Sequence, residues 1–592
     1  MKKETKDEEE ISPLPPELKE YWERTWPGAL ELWSRYTKIS DPIWCMNEKQ
    51  DKEENLSDSF AMIRLSEHRV IISLHKIHKL GLNNFAKEIL AHEIGHHVYC
   101  PGDLNDQAKM LARMRLGLPY KENMAPFISN LYSDLLINYK LQRDFNLDIA
   151  SVYKIINPEK FDKLWLFYMR IYEILFSLPR RSLAVDKIQD SMEGDAQLAN
   201  RLIRNYGRDW LLGSGRFAAL CLPYLMENEY AISLKSLASW NDTRDCAAGE
   251  VLPDGLTEID EDELEGCIHP ALEGSDQVSG EKTEIQKKLE PVDSKGETKG
   301  QYRQPFEYGE ILKSLGIKLP NSDITIKYYK ERALSYLVPF PVQKNERVTE
   351  PLPEGLDTWD IGSPLENINW VETVIRSPVV IPGYTTVEQT YGTAEGDTPQ
   401  IEPVDLDIYI DCSGSMPNPS YKVSYLALAG TIIALSALRT GASVQATLWS
   451  GTKQFKTTDG FIRDEKKILE IVCGYIGGAT AFPIHIMRDT YALRTKKNKN
   501  VHILQISDDG ITTMFNVDEK GNSGKNIAEM ALQNARAGGT FVLNLWNDWK
   551  KDKLLVQAHE MGWDIHIVRK WEELLIFAKE FSKKKYTLNK KR

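Results

Sequence analysis

The chain has 592 residues, of which 42% are hydrophobic, 27% charged and 9% aromatic, with a formal net charge of -12. That composition excludes a fully disordered chain, a collagen-like chain and a coiled-coil rod, and the length allows several domains at roughly one per 150 residues. The seven cysteines are scattered, odd in number and form no C-x-x-C pair, which excludes a disulfide scaffold, a zinc ribbon and a thioredoxin-like site and points to a reducing, cytoplasmic setting.

The charged start, Met1 to Glu10, has no apolar core and is not read as a signal peptide. Val423 to Leu438 is uncharged for 16 residues, short of the about 20 that a membrane span needs, so it reads as a buried helix and no membrane segment is expected. Residues 241–300 carry 17 acidic against 6 basic residues, a net of -11. The remainder is near neutral, which leaves no electrostatic footprint for nucleic acid. The basic clusters Lys583 to Lys585 and Lys590 to Arg592 read as a solvated tail.

In chain order, Trp22, Trp26, Trp33 and Trp44 mark a helical start, and the β-branched run His68 to Leu74 predicts a strand. A helix follows from about Asn84 to Tyr99, capped by Asn83 or Asn84 and stopped by Pro101-Gly102. Residues 120–240 are helical by periodicity, one helix running from Phe127 to Gln142, with breaks at Gly207 and at Gly213-Ser214-Gly215. The acidic stretch 241–305, rich in Gly, Ser and Pro, reads as a disordered linker, because it buries too little apolar surface to offset its ordering entropy. Residues 306–400 are proline-rich and irregular, with short β-like runs.

From Val404 strands alternate with helices. The expected strands are Asp405–Ile410, Val444–Trp449, Val501–Ile506, Thr540–Trp546 and Ile565–Val568; the helices are Lys422–Arg439, Lys466–Tyr475, Lys525–Ala537, Lys553–Met561 and Trp571–Phe581. This pattern predicts a doubly wound α/β domain over 401–585, following a mainly helical module over 1–240, the linker and the connecting region: a multidomain chain.

Two motifs carry chemistry. His92-Glu93-Ile94-Gly95-His96 is an H-E-x-x-H sequence on the helix just described. Four-residue spacing puts His92 and His96 on one helix face, where both imidazoles can reach one Zn²⁺, and Glu93 can take a proton from a water on the metal. The competing reading is a helix with buried, hydrogen-bonded histidines. Two histidines leave a zinc site incomplete, and no third histidine follows in the extended form of the motif. On the helix Phe127 to Gln142, Asp134 shares a face with Phe127, Leu131, Asn138 and Leu141. A carboxylate on an apolar stripe is costly unless paired or metal-bound, so Asp134 is the expected third ligand, with Asn130 and Asn138 orienting it. Asp103, Asp106 and Glu122 are the other candidates. His97 lies about 100° around the helix from His96 and is expected to pack or hydrogen-bond beside the site.

The histidine motif and the helix Asn130-Leu-Tyr-Ser-Asp134-Leu-Leu-Ile-Asn138 together resemble a bacterial family of zincin-like metallopeptidases fused to a von Willebrand factor A domain. The likeness covers roughly residues 60–145 and is specific at the His and Asp motifs. It implies a largely helical, α+β zincin-like module that hydrolyses protein or peptide substrates.

Asp411-Cys412-Ser413-Gly414-Ser415 follows an apolar strand, at the sheet end where ligand crevices form. Carboxylate and hydroxyl oxygens are hard ligands suited to Mg²⁺. The D-x-S-x-S sequence is similar to the metal-dependent adhesion motif (MIDAS) of the von Willebrand A fold, a likeness that covers about 402–582. The resemblance implies a threonine from a later loop, matched by Thr480 in Gly477-Gly-Ala-Thr480. It also implies an aspartate after the fourth strand, matched by Asp508, with Asp509 as the alternative. The implied role is protein binding, in which a carboxylate of the partner completes the metal shell.

No G-x-x-x-x-G-K-[ST] loop is present, so the chain is not expected to be an ATPase itself. The resemblance implies a MoxR-type AAA+ ATPase as partner, and the acidic stretch beside the domain is similar to metal-chelatase subunits. The sequence therefore reads as a zinc metallopeptidase coupled to a magnesium-dependent binding domain. The alternative is a non-catalytic adaptor of a MoxR-type or chelatase-like complex.

Overall fold

A computed structural model of the chain describes residues 14–34, 39–56, 59–65, 67–157, 162–226, 253–260, 262–264, 267–272, 301–337, 351–393, 403–545 and 547–586. They divide into two compact units, Met1–Arg332 with Pro417–Ser424, and Ala333–Met416 with Tyr425–Arg592. No described helix is long and apolar enough to cross a membrane.

The first unit opens with α1 (Pro16–Trp33), β1 (Ser40–Cys45), α2 (Glu48–Glu53), β2 (Ala61–Arg64), β3 (Arg69–Ser73) and α3 (Leu74–Lys79). The three strands form a sheet in the order β1-β3-β2, with β1 parallel and β2 antiparallel to β3. Val70, Ile71, Ile72 and Ser73 of the central strand are fully buried, and Arg69 at its start is partly exposed. The helix α4 (Ala86–Val98) carries the histidine motif. Trp22 and Trp33 of α1 donate their indole N–H groups to the carbonyls of Asn83 and Ala91, which lays α1 along α4. The expected asparagine cap of α4 does not form. Phe85 occupies the cap position, and the Asn83 amide is engaged by His78 Nδ1 at 3.0 Å.

Next come α5 (Leu104–Gly117), α6 (Ala125–Asp144), α7 (Ile149–Ile156), α8 (Lys163–Leu175), α9 (Asp190–Asn205) and α10 (Trp210–Met226). Gly207 lies in the break between α9 and α10, as expected. Gly213 to Gly215, expected as a second break, instead lie inside α10. Their missing side chains serve packing. A Cβ on Gly117 would stand 2.5 Å from the Gly215 carbonyl oxygen, and one on Gly213 would stand 2.4 Å from the Tyr132 hydroxyl.

The acidic stretch 241–305 is corrected where it is described. Its residues form β4 (Glu258–Ile259), paired antiparallel with β5 (Gln301–Tyr302). Arg303 and Glu263, each 1% exposed, meet in a two-pronged ion pair at 2.6 and 2.9 Å. Arg303 also donates to the carbonyl of Leu256 at 3.0 Å, and the Leu256 side chain is buried. The rest of that stretch lies outside the described residues. The region expected to be irregular, 306–400, supplies α11 (Pro305–Ser314) and α12 (Asn321–Leu334). It also supplies the antiparallel pair β6 (Pro351–Thr358) and β7 (Val387–Thr393), with α13 (Trp370–Arg376) between them.

The second unit continues with β8 (Asp405–Asp411), α14 (Tyr425–Arg439), β9 (Val444–Trp449), β10 (Phe455–Thr457), α15 (Glu465–Val472), α16 (Ile484–Tyr491) and β11 (Val501–Ser507). It ends with α17 (Gly524–Ala535), β12 (Arg536–Asn544), α18 (Lys553–Glu560), β13 (Trp563–Val568) and α19 (Glu573–Tyr586). The six-stranded sheet runs β10-β9-β8-β11-β12-β13, parallel except for β10. Every residue of β8, β9 and β11 is buried, as in a parallel sheet covered on both faces. The strand order reverses between β8 and β11, which opens a crevice at their carboxyl ends.

Candidate metal centres

The helices α4 and α6 bring His92, His96 and Asp134 together. His92 Nε2 and His96 Nε2 are 3.3 Å apart, and Asp134 Oδ1 lies 3.6 and 3.5 Å from them. Three corners of a tetrahedron with metal–ligand bonds of about 2.1 Å are separated by about 3.4 Å. Among the described residues, no other group of three or more His, Cys, Asp or Glu side chains converges in this way. Gly95, between the two histidines, lets α1 and α6 close on α4: a Cβ there would meet Ile137 Cγ2 at 2.7 Å and Trp33 Cζ2 at 2.8 Å.

Proton placement sharpens the geometry. His96 Nδ1 faces the carbonyl of Cys100 at 3.2 Å, which can only accept, so this nitrogen carries the N–H and Nε2 of the neutral ring presents a lone pair. His92 Nδ1 lies 2.8 Å from Asn138 Oδ1, and Asn138 Nδ2 donates to the hydroxyls of Tyr153 at 3.1 Å and Tyr172 at 2.9 Å. His92 Nε2 presents a lone pair when Nδ1 carries the N–H. Two ring nitrogens and a carboxylate oxygen converge in a site whose members, with Glu93, are at most 2% exposed, which is the donor set of a borderline or hard cation.

Other expectations fall differently. Asn138 holds His92 rather than Asp134, and Asn130 is buried one turn before Asp134. Asp103 caps α5 by accepting from the Asp106 amide at 2.9 Å, and Glu122 accepts from the Tyr120 amide at 3.2 Å; neither they nor Asp106 join the cluster. His97 bonds the Gly102 carbonyl oxygen through Nδ1 at 3.1 Å and packs against the His68 ring at a tilt of 41°. Tyr153, Tyr168 and Tyr172 were not singled out by sequence, because their spacing matches ordinary core aromatics. A buried tyrosine hydroxyl must find a polar partner, and that was the available signal.

The second cluster sits where β8 and β11 end. Asp411, 2% exposed, accepts from Ser507 Oγ at 2.6 Å and from the Ser413 amide at 2.8 Å. Burial raises its carboxyl pKa above the ordinary range, and these hydrogen bonds oppose the rise. Ser413 Oγ is 3.2 Å from Ser415 Oγ, which donates to Asp508 Oδ2 at 3.1 Å. Asp508 Oδ1 accepts from the Gly510 amide at 2.8 Å. Asp509 starts the short helical turn Asp509–Phe515 and is exposed, so Asp508 is the aspartate that faces the serines.

The loop before Thr480 lies against this cluster. The Gly414 amide donates to the Gly478 carbonyl at 2.9 Å, and the Gly477 amide donates to the Cys412 carbonyl at 3.1 Å. A Cβ on Gly510 would stand 2.4 Å from Thr480 Cγ2, so the glycine makes room for Thr480 beside Asp508. Gly414, Ser415, Gly478 and Asp509 are exposed. The oxygen cluster therefore opens to solvent, unlike the histidine site.

No protein-family model matches the chain, and no curated protein matches it. Among solved structures it is similar to the pilus adhesin SpaC from Lactobacillus rhamnosus GG in its open conformation, at 11% identity and a TM-score of 0.24, over 31% of this chain and 30% of that one. It is also similar to a point mutant of the PilB minor pilin from Streptococcus sanguinis, at 10% identity and a TM-score of 0.23, over 35% of this chain and 66% of that one.

Proposed function

We propose that the chain is a zinc-dependent peptidase coupled to a magnesium-dependent protein-binding domain. The observation that carries the first half is the 3.3–3.6 Å triangle of His92 Nε2, His96 Nε2 and Asp134 Oδ1 beside a buried Glu93. Zinc held there by His92, His96 and Asp134 would supply Lewis-acid activation of a water and of a peptide carbonyl. Glu93 would serve as the general base, while Asn138 and the Cys100 carbonyl keep both imidazoles turned inward. The resemblance to zincin-like peptidases supports this reading.

In the second unit, Asp411, Ser413, Ser415, Thr480 and Asp508 would hold Mg²⁺ together with an acidic side chain of a partner protein. By resemblance to von Willebrand A domains, that partner is a MoxR-type AAA+ ATPase. The scattered cysteines support a cytoplasmic setting, and no charge pattern favours nucleic acid.

The purified chain is expected to carry about one zinc, lost in the His92→Ala/His96→Ala double variant. Full zinc content in that variant overturns the site. Glu93→Gln is expected to keep zinc and to lose peptide hydrolysis by about 10²- to 10⁴-fold; unchanged cleavage moves the base elsewhere.

A second reading is favoured by one observation, the near-complete burial of His92, Glu93, His96 and Asp134. A closed site is the mark of structural zinc, whereas a catalytic zinc keeps an open position. The chain is then a non-catalytic adaptor for the ATPase or for a chelatase-like complex. Hydrolysis of a peptide library by the zinc-loaded wild type, lost in Glu93→Gln, excludes it.

A further inference from the structure

Which nitrogen of a neutral imidazole is free to bind a metal is set by what the other nitrogen meets. His92 meets a side-chain amide, which could offer it either an oxygen or an N–H. The far side of Asn138 decides. Its Nδ2 faces two hydroxyls, Tyr153 and Tyr172, which are 2.8 Å from each other, and Tyr168 lies 3.1 Å from Tyr172. Tyr153 and Tyr168 are hydrogen-bonded as well. Three O–H groups donating around this triangle leave one lone pair each on Tyr153 and Tyr172. Those two lone pairs take the two amide N–H groups of Asn138, and the amide oxygen is left for His92.

We propose that Asn138, held by Tyr153 and Tyr172, is the positioning residue that keeps His92 in its Nδ1–H tautomer and so turns Nε2 to the metal. The proposal rests on the reading of His92, His96 and Asp134 as a zinc centre. Turning the amide over would break the hydroxyl triangle where no water replaces it, since Asn138 and the three tyrosines are at most 1% exposed. Burial also pushes the three phenols above their ordinary pKa, so they stay neutral. His96 reaches the same end through the Cys100 carbonyl.

The test reads tautomer and affinity separately. Long-range nitrogen NMR of the histidine rings near pH 8 is expected to show His92 protonated at Nδ1 and bare at Nε2, with zinc and without it. Asn138→Leu is expected to lose that preference and to weaken zinc binding about 10- to 100-fold in chelator competition. Asn138→Asp, which keeps an acceptor for Nδ1–H, is expected to restore both, and Tyr172→Phe to fall between. A wild-type His92 protonated at Nε2, or an Asn138→Leu variant that binds zinc as tightly as wild type, overturns the proposal. A wild type that binds no zinc overturns the zinc reading instead, and the spectrum of the metal-free chain still decides the tautomer.

Discussion

His92 Nε2 and His96 Nε2 face each other at 3.3 Å, with their rings at 88°. With Asp134 Oδ1 beside them, the three form a buried donor triangle that a cation, on the zinc reading, would fill. On the zinc reading, removing the metal should therefore weaken the first unit. For zinc at a thousandfold over its Kd, the linked stability is about 4 kcal/mol. Scanning calorimetry with and without a chelator should show a fall in Tm that added zinc reverses; an unchanged Tm would uncouple the site from the fold.

Gly95→Ala should act on fold and site together. Its Cβ has no room against Ile137 and Trp33, so α1 and α6 must part from α4. The expected cost is about 1–3 kcal/mol by urea denaturation. Ile137 adjoins Asn138, so zinc affinity should drop in the same variant.

The Arg303–Glu263 pair is buried on both sides. Removing the arginine, as in Arg303→Met, should destabilise the first unit by about 3–5 kcal/mol, because Glu263 loses its two-pronged partner while buried; Glu263→Gln should cost less, since Arg303 keeps Glu307 at 3.2 Å. The double variant Arg303→Met/Glu263→Leu should recover most of that loss in the same denaturation experiment.

Asp407, in the middle of β8, accepts from the Tyr491 hydroxyl at 2.8 Å. Tyr409, Gln445 and Arg494 also favour its ionised form, yet burial wins and pushes its carboxyl up to about 7. Between about pH 4 and 7 the folded chain keeps this proton while the unfolded chain releases it. The group's contribution to stability thus falls as pH rises through that window and is level above it. Asp407→Asn should flatten this dependence and raise stability near pH 8 by about 2–4 kcal/mol, measured by denaturation at several pH values.

In the second unit, Ser413→Ala removes one oxygen from the cluster at the ends of β8 and β11. Magnesium affinity, measured by calorimetry, should fall about tenfold or more, with the fold intact because Asp411 keeps its bond from Ser507. Equal affinity in the variant would take Ser413 out of the site.

Much of this was legible because it depends on local spacing. His92 and His96 share a helix face by their separation alone, and Asp134 stood out as a charge on an apolar stripe. In the second unit the strands were marked by short runs rich in β-branched and aromatic residues that alternate with helical segments. Three-residue β10 was too short to signal itself, and α16 was hidden behind Pro483. Long-range relations were not legible. Arg303 and Glu263 are 40 residues apart within a stretch whose composition resembles a linker. Gly213 and Gly215 read as helix breakers because nothing local says that another helix approaches them. Asn138 was assigned to the nearer residue in sequence, Asp134, although its oxygen faces the imidazole across the helix pair.

The seclusion of His92, His96 and Asp134 bears on how an ion bound there would arrive and how long it would stay. The three residues are at most 2% exposed, so exchange of an ion bound there would wait for α4 and α6 to separate, an event governed by local opening. Residence time then reflects the stability of the surrounding helices rather than bond strength alone. A chain that closes around the wrong cation, or around none, would be slow to correct the mistake, which makes the supply of metal during folding the decisive moment.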